Sequence, residues 1–384
     1  MKPFICKPTA ITLTTIILLT SLSIATPICL AQNYNTSYQL LDEPGGNVAY
    51  TLNIAVPKNL LEYYQGQSNK LPSTLTFAKF VTPYAVKPIA DTLQTIYQDD
   101  EDFANAVLSI VHQMNYTETT LGKYPVETIV DNTGDCDIFS FVAASILEAK
   151  GIDTLLLYYE DQSHMNIGVH LNNPPENARG TTYSVKHDNN LYYIAECTGG
   201  NLTYGWRVGE CPDSLKDVTA QILTLENAEE IAPGQVSASF TTLEPSEISL
   251  EISPAIAFED GVITFQGYII PSIPYQNVTI YLGISGYPWK VLGTTATLAD
   301  GSFVYTWKTT LNGFYAVRAS WNGDEIYSGS VSMTQNGTVI PIILTALIGL
   351  AILSTALGVL AILLMRRMGN KNPELREPHS STFS

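Results

Sequence analysis

The spacing of apolar residues predicts helices in the first part of the chain and a sheet directly after them. Residues 86–97 and 102–114 carry apolar side chains at helical spacing, as does the run CDIFSFVAASILEAKG, which begins at Cys136 and stops at Gly151. After Gly151 the period changes to two, as in HMNIGVHL, and the runs TTYSVKH and LYYIAEC predict a hairpin. Helices followed by an antiparallel sheet indicate an α+β domain over residues 32–243.

From about Pro245 the pattern changes to short apolar runs at regular spacing. GVITFQGYI, QNVTIYLGI and GSFVYTWKT are examples, and Gly, Pro, Asn and Asp separate them. This spacing predicts an all-β sandwich over residues 244–335. No cluster of polar residues in this part is typical of catalysis, so we expect a spacer or adhesion module.

A long apolar segment lies near the beginning of the chain. Lys2 and Lys7 precede it, and small residues follow near Ala31. This three-part layout predicts a secretory signal peptide over residues 1–31. An uncleaved N-terminal anchor is the competing interpretation.

A second apolar segment lies near the end of the chain. Residues 339–365 carry no charge, and they exceed the roughly 20 residues that a membrane-spanning helix requires. Arg366 and Arg367 follow directly, which places the tail, residues 366–384, in the cytoplasm by the positive-inside rule. We therefore expect a single-pass protein of the cell membrane, with the bilayer as a partner of this helix and the bulk of the chain outside.

The net charge of the chain limits the classes of molecule that we expect it to bind. The formal net charge is −17 over 384 residues. An acidic protein repels phosphate backbones and anionic lipid surfaces, so nucleic acid is excluded as an expected partner. A protein or peptide substrate remains compatible with this charge.

Cys136 is the first candidate for chemistry because it lies in the first turn of the predicted helix. Unpaired backbone N–H groups and the helix dipole favour a thiolate at that position. The alternative is a small apolar residue that fills space at a helix start.

The cysteine count leaves Cys136 as the expected free thiol. Cys6 and Cys29 fall in the predicted signal peptide, so Cys136, Cys197 and Cys211 remain. An odd number of cysteines outside the cell suggests one pair and one free thiol. Cys197 and Cys211 are close enough in sequence to close a short loop, although the sequence does not show whether they are oxidised.

A nucleophilic cysteine needs a base within hydrogen-bond reach and a third group that orients the base. His164 begins the strand that returns to the helix start, and Glu196 lies near the end of the following strand. His170 lies on the same strand face as His164 but about 20 Å further along, too far to share the site. A histidine or a glutamate on a strand is, taken alone, more often structural than catalytic. The combination of Cys136, His164 and Glu196 favours catalysis.

Metal binding is the rival use of these residue types. It requires closely spaced ligands such as C-x-x-C or H-x-x-x-H, and the sequence contains neither. We therefore expect no metal and no cofactor.

The runs GDCDIFSFVAASILEAKG, SHMNIGVHL and YYIAECTGGNLTYGWRVGECP resemble the transglutaminase-like superfamily, most closely its prokaryotic, membrane-associated cysteine-protease type. The resemblance covers about Pro57 to Pro212 and implies a papain-like core. It also implies Cys136 as nucleophile, His164 as base and Glu196 as orienting acid, where many members have Asp. The strand-rich part resembles immunoglobulin-like (Ig-like) modules of archaeal and bacterial surface proteins, which concerns the fold alone.

One position departs from the family pattern. Relatives often carry Gln in the helix before the position of Tyr116, where it helps to stabilise an oxyanion. In this register the chain has His112, with Gln113 next to it, about 100° further round the helix. Both residues are therefore oxyanion candidates, and the backbone N–H of Cys136 supplies one donor in either case.

The resemblance implies thiol acyl transfer on protein or peptide amides through a thioester. Water as the second nucleophile gives hydrolysis, and an amine gives cross-links. We favour hydrolysis because water is always present and no acyl-acceptor site is identifiable. The alternatives are a non-catalytic cell-surface binding module and an inert structural protein of the cell envelope.

Overall fold

A computed structural model describes residues 33–369, except 72, 203, 227 and 230. The predicted signal peptide and most of the predicted cytoplasmic tail lie outside the described residues. The first part of the described chain contains two sheets and a group of helices. Its elements are β1 Asn33–Leu41, β2 Val48–Pro57, α1 Lys58–Gln65, α2 Pro83–Gln94, α3 Asp100–Val111, β3 Asn115–Tyr116, α4 Pro125–Asp131, β4 Thr133–Gly134, α5 Cys136–Lys150, β5 Thr154–Tyr159, β6 His164–His170, β7 Ser184–His187, β8 Asn190–Ala195, β9 Gln221–Leu223 and β10 Ser237–Ser239.

The helix that begins at Cys136 is the central element of this part. Every residue from Ile138 to Leu147 is buried, because α2, α3, α4 and the sheet surround α5. Gly151 ends the helix with φ of 90°, a left-handed conformation that glycine adopts without steric cost. The start and the end of this helix are therefore as the apolar spacing predicts.

Two neighbouring helices begin earlier than their apolar spacing predicts. Pro83 is the first residue of α2, three residues before the predicted start, since proline at this position sacrifices no intrahelical hydrogen bond. Asp99 caps α3 by accepting hydrogen bonds from the N–H groups of Glu101 and Asp102.

The main sheet has the strand order β7-β8-β6-β5-β9, and its neighbours pair antiparallel. Helix α5 covers one face. A smaller cluster covers the other face; it consists of Leu155, Leu157, Tyr159, Tyr192, Ile194, Cys211 and Leu215. With both faces covered, the ends of β6 and β8 are held at fixed positions beside the start of α5.

The second part is a two-sheet β-sandwich, which confirms the predicted fold of this region. Its strands are β11 Glu247–Ile248, β12 Glu251–Ser253, β13 Ile256–Phe258, β14 Val262–Ile270, β15 Asn277–Gly283, β16 Lys290–Ala296, β17 Ser302–Lys308, β18 Gly313–Gly323, β19 Ser328–Val331 and β20 Gln335–Ile340. One sheet has the order β11-β14-β12 with β17 beside β14, and the other has the order β13-β20-β18-β15-β16 with β19 beside β18. A separate aromatic-rich core, with Phe265, Phe303 and Trp321, fills the space between them.

The two parts pack directly on each other. Val331 of the sandwich belongs to the core of the first part. Arg318 of β18 donates to the carbonyl of Asn59 at 2.9 Å, and the Asn33 amide donates to the Ser328 hydroxyl at 2.7 Å. The sandwich is therefore joined to the first part by packing as well as by the chain.

A long apolar helix, α6 Ile342–Gly369, follows the sandwich. Among the described residues it is the one helix long and apolar enough to cross a membrane. It begins at Ile342, later than the predicted residue 339, because β20 stays paired with β13 and β18 and Pro341 then interrupts the strand.

Candidate active site

Cys136 is the first residue of α5, and its side chain is 8% exposed. The thiol sulfur lies 3.9 Å from the carbonyl oxygen of Ser163 and 4.0 Å from Oδ1 of Asp137. The strand residue Gly134 passes so close to the helix that a Cβ there would lie 2.5 Å from Cγ2 of Ile138. A glycine is therefore needed at position 134 for the chain to pass this close to α5.

His164 is the first residue of β6 and lies opposite Tyr159 of β5. A 3-10 turn and Ser163, which has φ of 46°, reverse the chain between these strands. The Nε2 atom of His164 lies 2.8 Å from Oε2 of Glu196. Cys136 also interacts with the ring, and its sulfur lies 3.9 Å from the carbonyl oxygen of Ser163, the residue before His164.

The surroundings of His164 favour its charged form. Burial lowers the pKa of the imidazole, but hydrogen bonds and charge interactions with Cys136 and Glu196 outweigh burial and raise the pKa from 6.5 to about 10. The ring is therefore an imidazolium at neutral pH.

Glu196 directly follows β8 and is 1% exposed. Its Oε2 accepts from His164 Nε2 at 2.8 Å and from Asn166 Nδ2 at 3.2 Å, and its Oε1 accepts from Thr198 N at 2.9 Å and Thr198 Oγ1 at 2.6 Å. Burial alone would raise the pKa of this carboxyl, but the bonds from His164 and Thr198 lower it, so the group is ionised. Sequence reasoning missed Asn166 and Thr198, each two residues from a predicted site residue.

The three residues predicted to act together are therefore adjacent. His170 is not part of this site, because its Nδ1 contacts the carbonyl of Leu191 at the far end of β6.

The two predicted oxyanion residues direct their donors elsewhere. His112 Nε2 donates to the backbone carbonyl of Glu196 at 2.9 Å, and since burial lowers the pKa of His112 its ring is neutral, with no proton on Nδ1. The Gln113 amide donates to the carbonyls of Gln39 at 2.9 Å and Ser109 at 2.6 Å, away from the thiol. These contacts do not support either side chain as an oxyanion donor.

Two glycines enclose the ring of His112. A Cβ on Gly205 would lie 2.3 Å from Nδ1 of His112, and a Cβ on Gly200 would lie 2.9 Å from its Cγ. One edge of the His112 ring is therefore hydrogen-bonded to the main chain of Glu196, and the loop that contains the two glycines packs against the other edge of the ring.

Tyr116 is a donor near the thiol that sequence reasoning did not assign. Strand β3 pairs with β4 and sets Tyr116 beside Gly134, two residues before Cys136. The phenol is 56% exposed, and its pKa is raised first by partial burial and next by the charge of Cys136. The hydroxyl therefore keeps its proton, and the residue is close enough to Cys136 for the two groups to interact.

Two carboxyl groups flank the cysteine in sequence. Asp135 Oδ2 accepts from the N–H of Thr119 at 2.7 Å and from its hydroxyl at 3.0 Å. Burial, and then a hydrogen bond to Asp135, raise the pKa of Asp137 to about 7. The carboxyl of Asp137 is thus easier to protonate than that of an exposed aspartate.

A cavity of about 490 Å³ opens beside the imidazole and Glu196. Its wall contains the apolar side chains of Trp206, Pro212 and Leu215, together with polar groups of Gln162, Thr198 and Ser214. A larger cavity, of about 620 Å³, lies elsewhere, where α1 meets the sandwich. The smaller cavity borders two of the three predicted site residues, His164 and Glu196, and Cys136 is not part of its lining.

The other described cysteines differ from Cys136 in their surroundings. Cys197 and Cys211 are free in this structure and lie in different apolar clusters. Burial raises the pKa of both thiols, that of Cys211 to about 11. Within the described residues, no group of three or more His, Cys, Asp or Glu side chains has the arrangement of a metal site.

No family model matches the chain, and no curated protein matches it. Among solved structures, the PKD domain of an M14-like peptidase from a Thermoplasmatales archaeon is 16% identical and covers 26% of this chain and 99% of its own, with a TM-score of 0.19. A CARDB domain from Pyrococcus furiosus is 18% identical and covers 26% of this chain and 99% of its own, with a TM-score of 0.18. The sulfur carrier protein SoxY from Chlorobium limicola is 13% identical and covers 26% of this chain and 80% of its own, with a TM-score of 0.18. At such TM-scores the likeness carries no argument about function, and the sandwich is defined by its own strand pairing.

Proposed function

We propose that this chain is a thiol-dependent acyl-transfer enzyme, built on a papain-like, transglutaminase-like core and anchored to the cell membrane by α6. One observation carries the proposal. A fully buried Glu196, saturated by hydrogen bonds, holds His164 Nε2 at 2.8 Å, and the thiol of Cys136 lies 3.9 Å from the carbonyl oxygen of Ser163, the residue before His164. A filler cysteine would not require an oriented, charged imidazole beside it.

The first role of this arrangement is to activate the sulfur. The imidazolium of His164 and the N-terminus of α5 both present positive potential to Cys136, which stabilises a thiolate relative to a thiol. The negative charge of Glu196 keeps the imidazole oriented and protonated.

The reaction that follows is an acyl transfer in two stages. The Cys136 thiolate attacks the carbonyl carbon of an amide; a C–S bond forms and the carbonyl electron pair moves to oxygen. Collapse of this oxyanion breaks the C–N bond, and the leaving amine takes the proton of His164. Water then attacks the thioester and gives its proton to His164, and the thiolate leaves; an amine in place of water gives a cross-link.

Two groups are placed to stabilise the oxyanion. The backbone N–H of Cys136 is at the first position of α5, where helix N–H groups have no intrahelical partner. We assign the second donor in this proposal to the neutral hydroxyl of Tyr116, a residue whose backbone pairs with Gly134, two residues before Cys136. His112 and Gln113 have no role as donors in it.

The cavity of about 490 Å³ indicates the class of substrate. Its apolar wall, with Trp206 and Leu215, suits a side chain or backbone segment of a protein or peptide, and its polar groups suit amide recognition. We favour water over an amine as the second nucleophile. The body of the protein faces outward in this proposal, because Arg366 and Arg367 follow the apolar helix.

Mass spectrometry of the full chain, incubated in detergent with a mixture of proteins, tests the proposal. Shortened peptides, a Gln-to-Glu mass shift and isopeptide cross-links distinguish proteolysis, deamidation and transamidation. We expect one of these products from the wild type and from Cys211→Ala, and none from Cys136→Ala. If the wild type and Cys136→Ala give the same products, or neither gives any, the enzyme proposal is refuted.

The larger cavity, where α1 meets the sandwich, favours the second candidate function, a non-catalytic binding module. Its volume is about 620 Å³, and Tyr63, Tyr287, Trp289 and Phe314 are part of its lining. The rate of iodoacetamide alkylation distinguishes the candidates, because an activated thiolate reacts faster than an ordinary thiol at neutral pH. A Cys136 that alkylates no faster than a free cysteine peptide favours the binding module.

A further inference from the structure

The end of the sandwich next to α6 exposes a set of large apolar side chains. We name this set the apolar collar; it consists of Ile256 at 63% exposure, Phe258 at 55%, Val262 at 56% and Phe314 at 81%. These residues come from three strands, β13, β14 and β18, that all begin or end at the same end of the sandwich.

Strand pairing places the collar close to the start of the apolar helix. Phe258 is in register with Ile340, and Phe314 is in register with Thr338. At about 3.3 Å per residue, Phe258 lies roughly 7 Å, and Phe314 roughly 13 Å, from Ile342 along the strand. Phenylalanine side chains at these levels are within or just above the layer of lipid headgroups, which is about 5 to 7 Å thick on each side of the hydrocarbon core.

The helix is attached to the collar strand by a direct contact. Oε2 of Glu259 accepts a hydrogen bond from the N–H of Ile342 at 3.1 Å, and the N–H of Glu259 donates to the carbonyl of Ile340 at 2.9 Å. The first turn of α6 therefore cannot move far from β13 without breaking these bonds. The depth at which the helix enters the bilayer therefore also determines the distance of the collar from the bilayer.

The length of the helix brings the collar closer still. Residues 342–365, which carry no charge, span about 36 Å at 1.5 Å per residue, whereas the hydrocarbon core is about 30 Å thick. A segment longer than the core tilts, which buries its whole length and lowers the attached domain on one side.

We propose that the sandwich rests on the bilayer through the apolar collar, with Phe258 in the headgroup layer and Phe314 brought down to that layer by the tilt of α6. The occupant of this surface is lipid, because β13 of the collar is hydrogen-bonded to the start of α6, whose residues Ile342 and Ile343 are apolar and exposed. The acidic groups Glu259 and Asp260 beside it favour uncharged headgroups; Asp260 is already paired with Lys308 at 3.4 Å.

The contact has a consequence for the rest of the molecule. Arg318, which donates to Asn59, and Val331, which enters the first core, join the sandwich to the part that holds Cys136. A sandwich seated on the bilayer therefore sets the height and the tilt of the candidate active site.

Tryptophan fluorescence of the full chain, in nanodiscs of phosphatidylcholine with or without bromine on the upper acyl carbons, tests this proposal. Each variant is compared with the wild type, because the chain has 4 tryptophans of its own. Ile343→Trp reports that the helix is inserted, and Tyr275→Trp is the matched control. Tyr275 is an aromatic residue of 76% exposure that precedes β15 at the opposite end of the sandwich.

We expect the added emission of Phe258→Trp and Phe314→Trp to be blue-shifted and to be lost in brominated nanodiscs. The emission of Tyr275→Trp should be equal in both kinds of nanodisc. If Ile343→Trp is quenched while either collar variant keeps its emission, the collar does not contact lipid and the proposal is overturned.

Discussion

Replacement of Glu196 by Gln tests the site most directly, because it removes one charge and almost no volume. The new amide has two orientations. If the NH₂ group points toward His164, it meets two other donors, Nε2 of His164 and Nδ2 of Asn166. If it points toward Thr198, it meets one donor, the backbone N–H, because the Thr198 hydroxyl can rotate and accept a hydrogen bond. The second orientation is therefore preferred, and it leaves one buried donor without a partner.

The loss of folding stability follows from the one donor that is left without an acceptor. One unsatisfied buried donor destabilises the fold by about 1–3 kcal/mol, and the loss should be visible in urea unfolding at pH 7. The charge of Glu196 also disappears, so the pKa of His164 falls from its raised value of about 10. Every pKa unit corresponds to about 1.4 kcal/mol and a tenfold change in population.

The sign of the pH dependence follows from the raised pKa. His164 has a higher pKa in the folded state than its ordinary 6.5, so its contribution to stability is complete below about pH 6.5 and is lost as the pH rises through about 10. Unfolding free energies between pH 6.5 and 10 should therefore decline more in the wild type than in Glu196→Gln.

Reactivity provides the decisive assay. We expect iodoacetamide to alkylate Cys136 at least about tenfold more slowly in Glu196→Gln at pH 7, because the imidazolium that stabilises the thiolate is weakened. Acyl-transfer turnover should fall on the order of 10³ to 10⁴-fold. Glu210→Gln is the matched control: Glu210 is also buried but is paired with Arg179, so its loss should lower stability and leave alkylation unchanged. Equal alkylation rates in Glu196→Gln and wild type would refute the proposed role of Glu196.

Three further substitutions probe other parts of the structure. Tyr116→Phe should leave alkylation by iodoacetamide unchanged but slow acylation by p-nitrophenyl acetate by about 10² to 10³-fold, since only acylation forms an oxyanion; equal effects on both would contradict the donor role. Phe141→Ala removes a fully buried ring that stacks on Phe80 at 5.2 Å, and should lower the unfolding free energy in urea by about 3–5 kcal/mol; a loss below 1 kcal/mol would be inconsistent with this packing. Gly151→Ala meets no atom within 4 Å but must keep φ near 90°, so it should cost about 1–2 kcal/mol, measured in the same way, through backbone strain alone.

The proximity of Cys136, His164 and Glu196 was predictable from sequence because each of them occupies the end of a regular element. Cys136 starts a strongly periodic helix, His164 starts the second strand of a short hairpin, and Glu196 follows the next paired strand. Antiparallel pairing of consecutive strands then brings their ends to one edge.

The contacts of His112 and Gln113 were not predictable in this way. Neighbouring helix residues differ by about 100° in direction, and the positions of loops decide which of them faces the site. Here the loop after Glu196 folds over His112, whereas β1 draws the Gln113 amide to Gln39. Neither contact is between elements adjacent in sequence, so no periodicity indicates it. The entry of Val331 into the first core is invisible to sequence patterns for the same reason.

The close approach of Gly200 and Gly205 to His112 limits how this protein can diversify. Any side chain at either glycine would displace the imidazole that holds the main chain of Glu196, so both positions tolerate essentially no substitution. Trp206, on the wall of the 490 Å³ cavity, makes no hydrogen bond to Cys136, His164 or Glu196 among those described, and it can vary at little risk to them. Variants with altered selectivity should therefore be sought at Trp206, within a loop whose glycines are kept.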